Sequence, residues 1–223
     1  MNSNLNSDFS ALSNTCHYKQ STSSALESDL NRKAPRILWI DGVGGYLLID
    51  RDQVLIGQAT AGCLVDIGIV GDLSRQAAVI RRSHADYLVE PMQETFLDGV
   101  LITQPQLLRS GAQLQWGSRV KLQLIKPHPL SSTARLNLTS LHRFQPRVDG
   151  VLLLADSCIL GPGPNCHVQC PQWGQDLLMF SHAGQWYFRT MGEVEADGQT
   201  QQGQIPIRSG MRMRGLDFSL SVE

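Results

Sequence analysis

The feature that most constrains this chain is an internal echo. The stretch from Gly45 to Gly57 reads as Gly, an apolar run, a polar turn, an apolar triplet and Gly again, and the stretch from Gly150 to Gly161 repeats that pattern. Downstream, Arg109, Ser110 and Gly111 are matched by Arg208, Ser209 and Gly210. A period of roughly 100 residues is too long for a solenoid repeat and suits a small all-β unit. The pattern around the echo is that of strands. Leu114, Trp116, Val120, Leu122 and Leu124 are apolar, whereas Gln113, Gln115, Lys121 and Gln123 between them are polar. Period-two alternation places one set in a core and the other in water. The expectation is two tandem antiparallel β-sandwiches.

Composition narrows the function. A formal net charge of -1 argues against binding nucleic acid through a basic surface. No apolar run approaches the ~18–20 residues that span a bilayer. The N-terminus carries neither the basic nor the apolar region of a secretory signal. Five cysteines without that signal read as reduced thiols in a cytoplasm. Residues 1–35 are rich in Ser, Asn and Thr and read as a disordered tail, with a short helix at Ser23–Arg32 as the alternative and Thr15 and Thr22 as phosphorylation candidates. Residues 36–126 form the first expected sandwich, 127–134 a Pro/Ser linker and 135–223 the second sandwich.

No catalytic constellation is visible: there is no nucleophile elbow, no His-Glu-x-x-His and no phosphate-binding lysine loop. Asp41 to Gly45 lacks the helix pattern that a nucleotide loop needs and reads as a hairpin turn. Cys166, His167 and Cys170, with Cys158 and His182 elsewhere, invite a zinc reading. On a strand, however, Cys166 and Cys170 face one side and His167 the other, so the expectation is buried thiols, no metal and no cofactor.

With these landmarks in order, residues 36–126 resemble a forkhead-associated (FHA) domain, an all-β sandwich that reads phosphothreonine through loops at one end. The landmarks are Gly57-Gln58, Asp66-Ile67, Leu73 to Ala78, Gln93 to Gly99 and Leu108 to Leu114. The resemblance places a ligand site at Gln58, Ser74, Arg75, Gln93 and Thr95. It also shows what is missing: the family's phosphate-binding arginine falls on Gln58, its buttressing histidine on Ala77 and its ligand-holding asparagine on Gln93. Charge-assisted bonds to phosphate are about twice as strong as neutral ones, and losing a guanidinium from such a site costs roughly 2–5 kcal/mol. The second copy keeps the framework and has Pro162 after Gly161 and the acidic Glu195 to Gly198 at the ligand loop.

The resulting expectation is a non-catalytic adaptor in signalling that binds a protein or phosphoprotein partner weakly or independently of phosphate. The alternative is a structural subunit that self-associates through its sandwiches. Trp116 is expected in the core and Trp173 on the surface as a partner anchor. Arg212 and Arg214 point away from Met211 and Met213 and offer a basic face to an acidic or phosphorylated partner.

Overall fold

The strands follow from the alternation just described. A computed structural model describes residues 36–62, 64–128 and 130–223. The expectations for the tail, its short helix and its phosphorylation candidates lie outside the described residues.

The first half contains β1 (Arg36–Ile40), β2 (Gly44–Ile49), β3 (Gln53–Gln58), β4 (Ile67–Val70), β5 (Ala78–Ser83), β6 (Asp86–Pro91), β7 (Thr95–Leu97), β8 (Val100–Ile102), β9 (Gln106–Leu107), β10 (Gln113–Trp116) and β11 (Val120–Ile125). The second contains β12 (Ala134–Leu138), β13 (Arg143–Gln145), β14 (Gly150–Leu153), β15 (Ser157–Gly161), β16 (Val168–Gln169), β17 (Leu177–His182), β18 (Gln185–Ala196), β19 (Gln199–Pro206), β20 (Arg212–Arg214) and β21 (Ser219–Val222). They build a 15-stranded sheet and a 6-stranded sheet. Among the described residues no helix is long and apolar enough to cross a membrane.

The sheets are mixed, which corrects the antiparallel expectation. β3 and β4, β15 and β16, and β2 and β14 are parallel pairs. In the first two cases an irregular connection carries the chain back along its own strand, which a tight hairpin cannot do. The connections are anchored alike. Leu55 N donates to Asp66 Oδ2 at 2.8 Å and Asp66 N to the Leu55 carbonyl at 2.9 Å. In the second half Ile159 N donates to His167 Nδ1 at 3.0 Å and His167 N to the Ile159 carbonyl at 2.8 Å. The Arg-Ser-Gly echo is equally literal: Gly111 N donates to the Leu124 carbonyl at 2.8 Å and Gly210 N to the Val222 carbonyl at 2.6 Å.

Two apolar cores result. One gathers Ile56, Ile67, Val89, Trp116 and Leu122; the other gathers Leu160, Met179, Phe188, Met213 and Leu220. β2 and β14 serve both. Leu47, Ile49, Val151 and Leu153 enter the first core, whereas Tyr46, Leu48, Leu152 and Leu154 enter the second. Their apolar runs are unbroken because both faces are buried.

Core membership differs from the sequence division. Ala134, Leu136 and Phe144, expected in or just before the second sandwich, pack in the first core, while Leu38 and Ile40 pack in the second. Thr133, read as linker, is fully buried and ties the region together: its hydroxyl donates to the Ser157 carbonyl at 2.5 Å and accepts from Ala155 N at 2.9 Å. All the described residues belong to one compact unit.

Candidate ligand-loop end

The loop end expected to hold a ligand starts where β3 runs out. Gly57 is required there. A Cβ on it would lie 1.9 Å from the Arg75 carbonyl oxygen, so the chain at Arg75 rests directly on the Gly57 backbone. That approach lets Gln58 N donate to the Ser74 carbonyl at 2.9 Å.

Four of the five expected ligand residues are then joined to one another. Gln58 Nε2 donates to the Gly71 carbonyl at 3.1 Å, and Ser74 N donates to Gln93 Oε1 at 2.7 Å. Thr95 Oγ1 donates to the Gln93 carbonyl at 2.9 Å and accepts from Trp116 Nε1 at 3.1 Å. Thr95 is fully buried, which corrects its assignment as a ligand contact: its hydroxyl fixes the core indole and does not reach solvent. Arg75 is exposed at the surface, as is Ser74. Ala77, at the family's histidine position, is an interior residue of the first core.

Two acidic neighbours not among the expected site residues complete this end. Asp72 and Glu94 line the same shallow depression as Ser74, Gln93 and Gly117. A bound anion would face two carboxylates and lose the amides to internal bonds. Both were legible in the sequence, Glu94 as the residue after Gln93 and Asp72 as the residue two before Ser74.

The matching end of the second lobe is closed by different chemistry. A Cβ on Gly161 would lie 2.0 Å from Asp176 Oδ1, so a carboxylate occupies the place that the Arg75 carbonyl takes in the first lobe. Cys166 Sγ approaches the same oxygen at 3.5 Å, and burial with that contact pushes its thiol pKa up. Cys170 is pushed up to about 12, chiefly by burial, and burial raises Cys158 as well. These are protonated, inert thiols at neutral pH.

Trp173, expected as an exposed anchor, is only 5 % exposed and packs against Phe218 with ring centroids 4.9 Å apart. Asp217 Oδ2 accepts from Gly174 N and pins the turn that buries the indole. Arg212 and Arg214 do face outward from β20, flanking the buried Met213. Their cross-strand neighbours on β21 are Ser221 and Ser219, on the other side Arg214 lies opposite Glu195 of β18 and Arg212 N donates to Asp197 Oδ1 at 2.9 Å, and neither guanidinium is ion-paired among the described residues. The structure therefore does not bring Trp173 and the two arginines together on one surface. At the far edge of the large sheet, β8 exposes Val100 and Leu101, which the sequence reading did not single out.

His167 is the best-defined titratable group outside the loop end. Nδ1 accepts from Ile159 N, so Nε2 carries the proton and donates to Ser131 Oγ at 2.9 Å. Burial, reinforced by His128 and Arg135, lowers its pKa to about 4. A group held neutral in the fold and titrating near 6.5 when unfolded lets the unfolded chain bind more protons below that pH. Stability is complete above pH 6.5 and falls as pH drops towards 4, by on the order of 2–3 kcal/mol. His167→Asn, whose amide oxygen can accept the same bond, is expected to flatten this part of a melting-temperature profile. An unchanged profile would assign the acid sensitivity elsewhere.

Comparisons with known proteins give a partial picture. No protein-family profile matches the chain, and no curated protein matches it. Among solved structures, the FHA domain of the CT664 protein from Chlamydia trachomatis is similar at 17 % identity and a TM-score of 0.29, covering 38 % of this chain and 91 % of that one. The Rv0020c FHA structure is similar at 20 % identity and a TM-score of 0.25, covering 39 % and 89 %. Mycobacterium tuberculosis EmbR, in complex with a low-affinity phosphopeptide, is similar at 16 % identity and a TM-score of 0.26, covering 44 % of this chain and 28 % of that chain.

Proposed function

We propose that the chain is a non-catalytic, FHA-like protein-interaction adaptor, built as two lobes, whose docking to a partner does not depend on phosphate. The reading is carried by one observation: at the loop end of the first lobe, the polar groups of Gln58, Gln93 and Thr95 bond to the loops themselves. A phosphate there would displace bonds already made, and the rim it meets is acidic at Asp72 and Glu94. Neutral amides offer at most about half the strength of charge-assisted donors. Partner contacts are assigned to exposed side chains, among them Arg75, Arg212 and Arg214, and the reaction-bearing arrangement that an enzyme needs has no counterpart in this reading.

The test is a calorimetric titration of the full chain with a degenerate phosphothreonine peptide pool beside its unphosphorylated twin. The expected result is the same heat, or none, from both pools. Micromolar binding confined to the phosphorylated pool would overturn the proposal and make the chain a phosphoreader.

A further inference from the structure

The two halves share much of one strand plan, although β13 lies between β12 and β14 and has no counterpart between β1 and β2, and the likeness extends to their first hydrogen-bonded strand pairs. Leu38 of β1 pairs with Tyr46 on one side and Val222 on the other; Leu136 of β12 pairs with Val151 and Leu124. The Trp39 ring lies over Gly45, and the Asn137 side chain lies over Gly150. β11 and β21 are the matching last strands, each tied to its Arg-Ser-Gly turn through Leu124 and Val222. Yet β12 lies beside β11 and β1 lies beside β21. Each half is thus completed by the other half's first strand pair, a reciprocal exchange within one chain.

The two seams differ slightly in length, with Leu122 to Ile125 paired at one and Leu38 to Ile40 at the other, and they differ in how they are connected. Residues 126–133 join β11 covalently to β12, through a turn where Leu130 is 92 % exposed. The β21–β1 seam has no such connection and is closed by Ile37 N to the Glu223 carbonyl and Glu223 N to the Ile37 carbonyl, both at 2.9 Å. A seam of this kind therefore holds without a covalent turn. We propose that the second half of one chain completes the first half of a second copy across the β11–β12 seam, giving an exchanged dimer that makes the same hydrogen bonds between the halves and buries the same cores as the monomer. Opening the turn costs the bonds internal to it, Ser131 N to the His128 carbonyl at 3.1 Å and Leu130 N to His128 Nδ1 at 3.2 Å, and the advantage of intramolecular closure, an effective concentration on the order of millimolar for a short flexible connection. The partner is a second copy of this chain, and the inference does not depend on the adaptor reading.

Two full-length variants test it. Gln123 and Asn137 face each other across the seam. Chains carrying Gln123→Cys and chains carrying Asn137→Cys are mixed unfolded, refolded together over a range of concentrations and oxidised. The expected result is a disulfide-linked pair of unlike chains, at twice 24.6 kDa, that increases with refolding concentration and is absent when the two chains are folded separately and then mixed. A folded product with no such link at any concentration, or equal linkage after separate folding, overturns the proposal. A chain lacking residues 126–133 cannot close the turn, because an antiparallel pair needs at least about two connecting residues. By light scattering it is expected to be a dimer; a folded monomer would overturn the proposal, and if that chain does not fold, the refolding experiment decides.

Discussion

Leu47→Ala and Leu48→Ala are expected to lower the same single melting transition, although the two side chains enter different cores. Leu47 is 1 % exposed in the first core and Leu48 is 5 % exposed in the second. Removing a buried leucine side chain costs about 2–5 kcal/mol, from lost transfer energy and the cavity left behind. For a chain of this size each kilocalorie shifts the midpoint by about 2–4 °C, so each variant should melt roughly 5–15 °C lower. One transition is expected because β2 and β14 are adjacent parallel strands with one face in each core. Unfolding one lobe strips a wall from the other. Calorimetry on both variants checks this. Two resolved transitions, with Leu47→Ala moving one and Leu48→Ala the other, would show that the lobes are energetically separate.

The shared wall was partly legible. Tyr46 to Ile49 and Val151 to Leu154 are unbroken apolar runs, and such runs are consistent with strands buried on both faces, although Ile37 to Ile40 and Leu177 to Phe180 are unbroken as well. The runs also anchored the internal echo. What the pattern does not encode is the neighbour: the side chains of β12 alternate identically whether it lies beside β11 or β21, so the exchange could not be read from the sequence. At the loop end, the replacement of an arginine by Gln58 was legible, but the use of Gln58 and Gln93 as internal ties was not, since their acceptors and donors at Gly71 and Ser74 are set by loop packing. Thr95 and Trp173 were misjudged for one reason. Each is buried by an aromatic partner far along the chain, Trp116 and Phe218 respectively. His167 escaped notice as the counterpart of Asp66 because an imidazole and a carboxylate look unrelated, though both accept from the same backbone position.

The paired glycines give the sharpest separation between the two lobe ends. Gly57→Ala is expected to destabilise the protein by roughly 3 kcal/mol or more, and Gly161→Ala by about 1–2 kcal/mol. Both positions crowd an added Cβ, but against different obstacles. At Gly57 the obstacle is the Arg75 carbonyl oxygen at 1.9 Å and its carbon at 2.6 Å, which are backbone and can yield only by moving the whole 73–77 segment. That movement would also break the Gln58–Ser74 hydrogen bond and displace Leu73 and Ala77 from the first core. At Gly161 the nearest obstacle is the Asp176 carboxylate, a side chain that can rotate away, while its Cα at 3.1 Å is a tight contact that needs only a small backbone shift. Combining Gly161→Ala with Asp176→Ala should therefore recover part of the lost stability, whereas no side-chain truncation near Gly57 should rescue Gly57→Ala. Denaturant titrations of the three variants measure this directly. Equal losses at the two glycines, or no recovery in the double variant, would show that the Asp176 carboxylate is not what fills the second lobe's end.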